Sequence, residues 1–371
     1  MTLESRPTAR TAVFSGSGIP MEIIGVEIPP LNPHEILVRN EMVTLCRSDI
    51  ATYSGKRIEP TPTILGHEVV GRVHEFGANA SRTDLRGTQL QIGDRVTWGI
   101  FASDPASEMS MRGMPQKGAD RFKYGHEQLA AGKTLHGGLS EFMILRPHTP
   151  IIKIADEVPV PVAAITNCAV ATVAGALRLA GSVKDRRVLI SGAGMLGVLA
   201  CSMARKAGAR RVGAMDIDAG RLDMARRFGA DYTIELPRDS DPPIDIQSTN
   251  PTTIEHQSSV DIVIEASGVP SSMEKTLEMM AVGGIAVWIG AVSPCRPVNM
   301  QAEHIVRNLI SIRGLHNYNT EDFRNAVEFI EMAHDVFPIR ELIHDHFTLD
   351  RIDEAFRYAI SINPFRVGVR L

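Results

Sequence analysis

Residues 188–197 read VLISGAGMLG, and this stretch decides the fold. Four residues of strand character run into Gly192, Gly194 and Gly197, spaced G-x-G-x-x-G, and an apolar helical pattern follows. Such glycines let backbone approach a pyrophosphate at a helix N-terminus, and the preceding strand and following helix make the motif credible. Met195 and Leu196, between the glycines, belong to the same cofactor-binding turn. Working outward, RRVGAMDID reads as the next strand and ends at Asp216, 19 residues after Gly197. A carboxylate there can bind both ribose hydroxyls of NAD and repel the extra phosphate of NADP. Arg221, one turn later, either reaches the adenosine ribose or is a solvated helix residue.

The alternation continues on both sides. VPVAAITNCAVATVAGALRLAG reads as one helix before the motif. AGRLDMARRFGAD, SVDIVIEASG, SMEKTLEMMAVGG and IAVWIGAV read as helix, strand, helix and strand after it. This pitch predicts an α/β doubly wound parallel sheet of the Rossmann kind over 161–313. The first 150 residues look different: short apolar segments such as EILVRN and VVGRVHEF, broken by Gly, Pro and Asp, predict a β-rich domain. Two helices, EDFRNAVEFIEMAHD and LDRIDEAFRYAI, and a final strand, RVGVRL, complete the tail. The expected division is therefore a discontinuous domain, 1–160 with 314–371, interrupted by the dinucleotide domain.

The 371 residues are 44% hydrophobic and 22% charged, with a formal net charge of −4. That balance is globular, and without a basic tract it argues against nucleic acid. No signal core opens the sequence and no run of 18 residues is wholly apolar, so no membrane partner is expected. Cys46, Cys168, Cys201 and Cys295 are far apart, which reads as reduced thiols in a cytoplasmic protein.

Three short segments bear metal-ligating types. TLCRSDIATYSG offers Cys46, Ser48 and Asp49; LGHEVVG offers His67 and Glu68; NCAVAT offers Cys168. Two thiolates and an imidazole suit zinc with a fourth position open. Singly, each is as well explained as a buried small residue or a structural histidine.

Together these segments resemble the zinc-dependent medium-chain alcohol dehydrogenases. The resemblance rests on C-R-S-D at 46–49, G-H-E-x-x-G-x-x-x-x-x-G at 66–77, G-D-R-V at 93–96, G-G-L-S-E-F at 137–142, Cys168, the glycine fingerprint and Asp216. It implies a GroES-like fold for the β-rich domain and a catalytic zinc on Cys46, His67 and Cys168. Glu68 would be an alternate ligand, and Asp49 would orient His67. It also implies that zinc polarises an alcohol, that Ser48 takes its proton, and that hydride passes to NAD. Many relatives continue the proton path through a histidine where this chain has Ala51. Arg47 and, by looser alignment, Arg366 would contact the cofactor pyrophosphate. A homodimer or homotetramer is implied in the same way.

Residues 104–118, DPASEMSMRGMPQKG, lack helical or strand periodicity and are expected to form a loop. Many relatives carry a structural zinc there, on cysteines spaced C-x2-C-x2-C-x7-C. The matching positions here are Asp104, Ser107, Ser110 and Gly118, so one zinc per chain is expected, not two. Met109, Met111 and Met114 could instead pack the lobe on a neighbouring subunit. The substrate pocket is expected near Ser48, Tyr53, Trp98 or Ile100, and 121–127. Lys56, Arg57, Lys123 and His126 would receive an anionic group or be surface charges. Resemblance to a subgroup proposed for phosphonate catabolism suggests a hydroxyalkyl phosphonate or other anionic alcohol. The rivals are a polyol or sugar-type secondary alcohol, a zinc-free reductase of activated double bonds, and a pure binding module.

Overall fold

The computed structural model describes residues 7–130, 134–237 and 260–371. The chain divides into two compact units, Met1–Ala171 with Asn319–Leu371, and Thr172–Tyr318. Both edges of the inserted unit fall later than the expected 161 and 313.

In the inserted unit, six parallel strands lie in the order Tyr232–Glu235, Arg211–Asp216, Arg187–Ser191, Val260–Glu265, Met280–Trp288, Ser311–Gly314. The first two steps outward from Arg187–Ser191 run in opposite directions, which is the doubly wound pattern. Val188, Leu189 and Ile190 are all buried, as expected of a central parallel strand covered on both faces. The helix read over SMEKTLEMMAVGG is shorter than expected. It spans Pro270–Glu278, and Met280 already begins the next strand, which carries Gly283 at φ +75°.

The other unit is built on a seven-stranded sheet. Its path runs Ile343–Thr348, Arg366–Arg370, Ile36–Leu45, Glu68–Phe76, Arg95–Trp98, Ile151–Lys153, with Phe142–Leu145 also paired to Ile36–Leu45. Val38, Val43, Leu45, Val69, Val96, Val367 and Val369 form its core with Phe356 from the helix Ile352–Ser361. Two antiparallel registers matter most: Thr44 faces Glu68, and Leu45 faces Val367. Three neighbouring strands therefore share one end, and Cys46, His67 and Arg366 all fall there.

The stretch read as one helix before the glycine motif is three pieces. An α-helix, Val160–Ala164, passes into a π-helical turn, Thr166–Val170, and then Ala171–Ala180. Val160–Ala180 is apolar and long enough to cross a membrane by composition, but 83% of its most apolar window is buried inside the protein, as in a core helix. The π-turn carries Cys168 and packs against the helix Thr320–Ala333. That helix starts with a capping box: Asn319 accepts from Asp322 N–H and Asp322 accepts from Asn319 N–H.

The segment 104–118 is more ordered than its sequence suggests. It holds a one-turn helix, Glu108–Met111, and a 3-10 turn, Pro115–Lys117. Ser107 caps the helix by accepting from Ser110 N–H, and the hydroxyls of Ser107 and Ser103 lie 2.9 Å and 3.2 Å from that of Ser110. Asp104 N–H donates to Asp120. A side chain at Gly118 would meet Ser103 and Asp120 at 2.7 Å. Ser103 and Asp120, neither singled out by sequence, thus knit together the positions where relatives place cysteines. Met111 is exposed, and Met109 and Met114 are half-buried.

Candidate active site

Cys46 is the N-cap of the short helix Arg47–Tyr53. Asp49, in its first turn, accepts from the Cys46 N–H at 2.9 Å and from the Gly66 N–H at 3.3 Å, and lies 3.3 Å from His67 Nδ1. The imidazole contact is close but off the line of an ideal hydrogen bond, since Nδ1 has no well-aligned acceptor. One buried carboxylate thus orders the backbone on both sides of the site. Asn167 does likewise from the π-turn. Its amide donates to the carbonyls of His67 and Trp98 and accepts from Val69 N–H. Sequence reasoning passed over Asn167, whose only signal was its place beside Cys168.

The three ligand atoms converge. Cys46 Sγ lies 3.9 Å from Cys168 Sγ, and Cys168 Sγ lies 3.5 Å from His67 Nε2. All three atoms are within 4.8 Å of one another. Zinc–ligand bonds of about 2.3 Å to sulfur and 2.0–2.1 Å to nitrogen at a tetrahedral angle need separations of about 3.8 Å and 3.6 Å. The donor set therefore fits zinc. The hydrogen bond from Cys168, against burial, pulls the Cys46 thiol well below its usual range, while the same bond and burial raise Cys168. Burial opposes charge on His67, yet Asp49 and Cys46 hold it up at about 10.

Glu68 is fully buried. It accepts from Thr44 Oγ1 at 2.6 Å and Ala169 N–H at 3.0 Å, and pairs with Arg366 at 2.9 Å. Burial raises its pKa to about 7, opposed by the charge of Arg366. Arg366, expected at the cofactor pyrophosphate, is the buried counter-ion of Glu68 and donates also to the Leu45 carbonyl. The register that aligns Leu45 with Val367 puts it there. Arg47 is exposed, with its guanidinium on Asn363. Ser48 is half-buried, and its hydroxyl makes no hydrogen bond among the described residues.

Several expected pocket residues are otherwise engaged. Tyr53 stacks on Phe356 at 4.3 Å and donates to Asp353. Trp98 and Ile100 are buried in the core. Arg57 is paired with Glu59, which also holds His126 at 2.9 Å. Burial, with the charges of Lys123 and His67, lowers the pKa of His126 well below its usual value, so it is no cation at neutral pH. Lys56 is exposed. Lys123 differs: it is partly buried, makes no ion pair among the described residues, and lies near enough to Cys168 and Glu59 to feel their charges. Burial, with Arg57, lowers its pKa.

In the inserted unit the fingerprint is built as its spacing requires. Gly192 has φ +90°, and a side chain there would strike Ser267 N at 2.7 Å. A side chain at Gly197 would fall 1.8 Å from the Gly192 carbonyl. Gly194 caps the helix Met195–Lys206. Asp216, closing its strand, accepts from Ala193 N–H at 2.6 Å and from Ile217 and Asp218 N–H. The Arg221 guanidinium lies 3.3 Å from where a Gly194 side chain would be, so it hangs over the fingerprint.

A doubly wound nucleotide-binding sheet joined in one chain to a Cys-His-Cys metal site defines a zinc-binding, dinucleotide-dependent dehydrogenase. The comparisons agree. Residues 32–156 match the alcohol dehydrogenase GroES-like domain family, and 196–332 match the zinc-binding dehydrogenase family. An L-threonine 3-dehydrogenase of Deinococcus deserti is 26% identical over 343 residues, covering 91% of this chain and 92% of that protein. An alcohol dehydrogenase of Thermotoga maritima superposes with a TM-score of 0.88 at 25% identity, over 98% of this chain and 99% of that one. Galactitol-1-phosphate dehydrogenase of Escherichia coli shares the fold, with a TM-score of 0.82 at 20% identity over 98% and 100% of the two chains. The chain belongs to the zinc-dependent medium-chain alcohol dehydrogenase family, and is an oxidoreductase acting on CH–OH groups.

Proposed function

We propose that this enzyme oxidises a secondary alcohol bearing an anionic group, a carboxylate or a phosphonate, with NAD as acceptor. The observation that carries the substrate class is Lys123, a partly buried side chain near enough to feel the charges of Cys168 and Glu59, with no ion pair among the described residues. An anionic substrate group would supply the missing partner. The L-threonine 3-dehydrogenase relatives act on a hydroxy acid, which accords with this reading. A polyol leaves Lys123 unpaired, and a zinc-free reductase has no use for donors spaced for a tetrahedral metal.

When bound, zinc supplies Lewis acidity toward the alcohol oxygen and NAD accepts hydride. Cys46, His67 and Cys168 hold the metal, with Asp49 keeping His67 oriented. Ser48 offers its free hydroxyl as first acceptor of the alcohol proton, and Ala51 cannot extend that path. Glu68 becomes an alternate ligand only by breaking its ion pair with Arg366. Gly192, Gly194, Met195, Leu196 and Gly197 receive the pyrophosphate, Asp216 the ribose, and Arg221 and Arg47 add positive charge. Four free thiols suit a reducing, cytoplasmic setting. Exposed Val292, Met300, Val306 and Leu309 support self-association through the inserted unit, as a homodimer or homotetramer.

The test is a matched panel of hydroxyalkyl phosphonates, hydroxy acids and neutral alcohols against wild type and Lys123→Ala. The variant should lose about tenfold to a hundredfold in kcat/KM on anionic substrates, the worth of a charge-assisted contact, and little on neutral ones. Equal wild-type rates on neutral and anionic partners would sink the reading.

A further inference from the structure

Away from the zinc site, the GroES-like unit contains a cleft of about 770 Å³, the size of a small-metabolite site. Its charged lining is Arg39, Arg72, Arg340 and Arg370 against Glu41 and Asp345. Four cations less two carboxylates leave a surplus of two. This is in a chain of net charge −4. Arg39 lies seven residues before Cys46 along an extended strand, so its backbone is roughly 20 Å from that metal ligand.

The sheet register explains the surplus. Arg39 is directly opposite Arg72, and Arg72 is opposite Arg95, across three antiparallel strands. Like charges facing across a sheet repel. Two of the three are neutralised: Glu41 pairs with Arg72 at 2.8 Å and Arg95 at 3.0 Å, and Asp156 lies 2.8 Å from Arg72. On the other wall, buried Asp345 is shared by Arg340 and Arg370, each at 2.7 Å, so one carboxylate faces two guanidinium groups. Arg39 has no partner at all among the described residues and is exposed.

We propose that this cleft binds a small phosphate-bearing molecule, with Arg39 as its principal contact and Arg72, Arg340 and Arg370 around it. A phosphate fits forked guanidinium donors. It would relieve the Arg39–Arg72 repulsion and balance the Asp345 pair. The carboxylates already present hold Arg72, Arg340 and Arg370 in place, so Arg39 is the arginine left to be ordered on binding.

The experiment is calorimetric titration of the zinc-loaded, NAD-saturated enzyme with inorganic phosphate at low salt. NAD occupies the pyrophosphate site, and Lys123→Ala removes the cation near the zinc. Saturable binding is expected in wild type and in Lys123→Ala, weakened about tenfold or more in Arg39→Gln, the worth of one charge-assisted contact. Turnover of Arg39→Gln without phosphate should match wild type, which shows that the variant is folded. Absence of saturable binding in wild type overturns the proposal. So does binding that survives Arg39→Gln, or binding lost in Lys123→Ala and not in Arg39→Gln, which would place the phosphate beside the zinc.

Discussion

Asp49 carries more than its place in C-R-S-D suggests. Its carboxylate accepts from Cys46 and Gly66 N–H and faces His67, so it orders backbone around two metal ligands at once. Replacement by asparagine keeps an acceptor for one of those two N–H groups and removes the charge. Asp49→Asn should therefore weaken zinc ten- to hundredfold, measured by competition with a chelating dye, with NAD affinity unchanged. Zinc affinity equal to wild type would reduce Asp49 to a helix cap. At this scale the sequence named the three donors through their resemblance to a family, and their types alone left bland readings open. Asn167 was illegible because it acts through hydrogen bonds to residues distant in sequence, and Ser103 because its bond to Ser110 lies within a loop that shows no period. The Arg366–Glu68 ion pair was illegible because the two strands that carry them are far apart in sequence and separated in the sheet by Ile36–Leu45.

At the scale of elements, alternating strands and helices were legible because burial imposes a period of 2 or 3.6 on the chain. The 104–118 lobe was not. A four-residue helix shows no period, and a helix so short forms only where other contacts hold it. Here those contacts are the Ser103–Ser110–Ser107 hydroxyls and the Ser107 cap. Ser107→Ala should release the Ser110 N–H and cost the lobe about 1 kcal/mol. Limited proteolysis would then cut within 104–118 several times faster than in wild type. An unchanged cleavage rate would mean that the methionines, not the serines, hold the lobe. The π-turn was hidden too, since its composition reads as plain helix, and it is this turn that presents Cys168.

For the whole molecule, the prediction concerns metal. Among the described residues, Cys46, His67 and Cys168 are the one cluster spaced for a metal ion. Elemental analysis should find zinc near one per chain. Chelation should abolish turnover while far-UV circular dichroism persists, because the sheet carrying these ligands has a large apolar core of its own. A value near two would mean that the serine-rich lobe holds metal. Loss of secondary structure on chelation would mean that the fold depends on the site.

The sequence by itself determined the doubly wound domain, the fingerprint with its carboxylate, and the residue types that can hold zinc. These are local: a turn needs its glycines at fixed spacing, and a strand needs its apolar run. The domain edges and the charge balance of the site were left to the tertiary structure. So were the serine-held lobe and the arginine row ending in unpaired Arg39. Each of these depends on strand register or on hydrogen bonds between distant segments, and register is set by how whole faces pack, which no short stretch of sequence records.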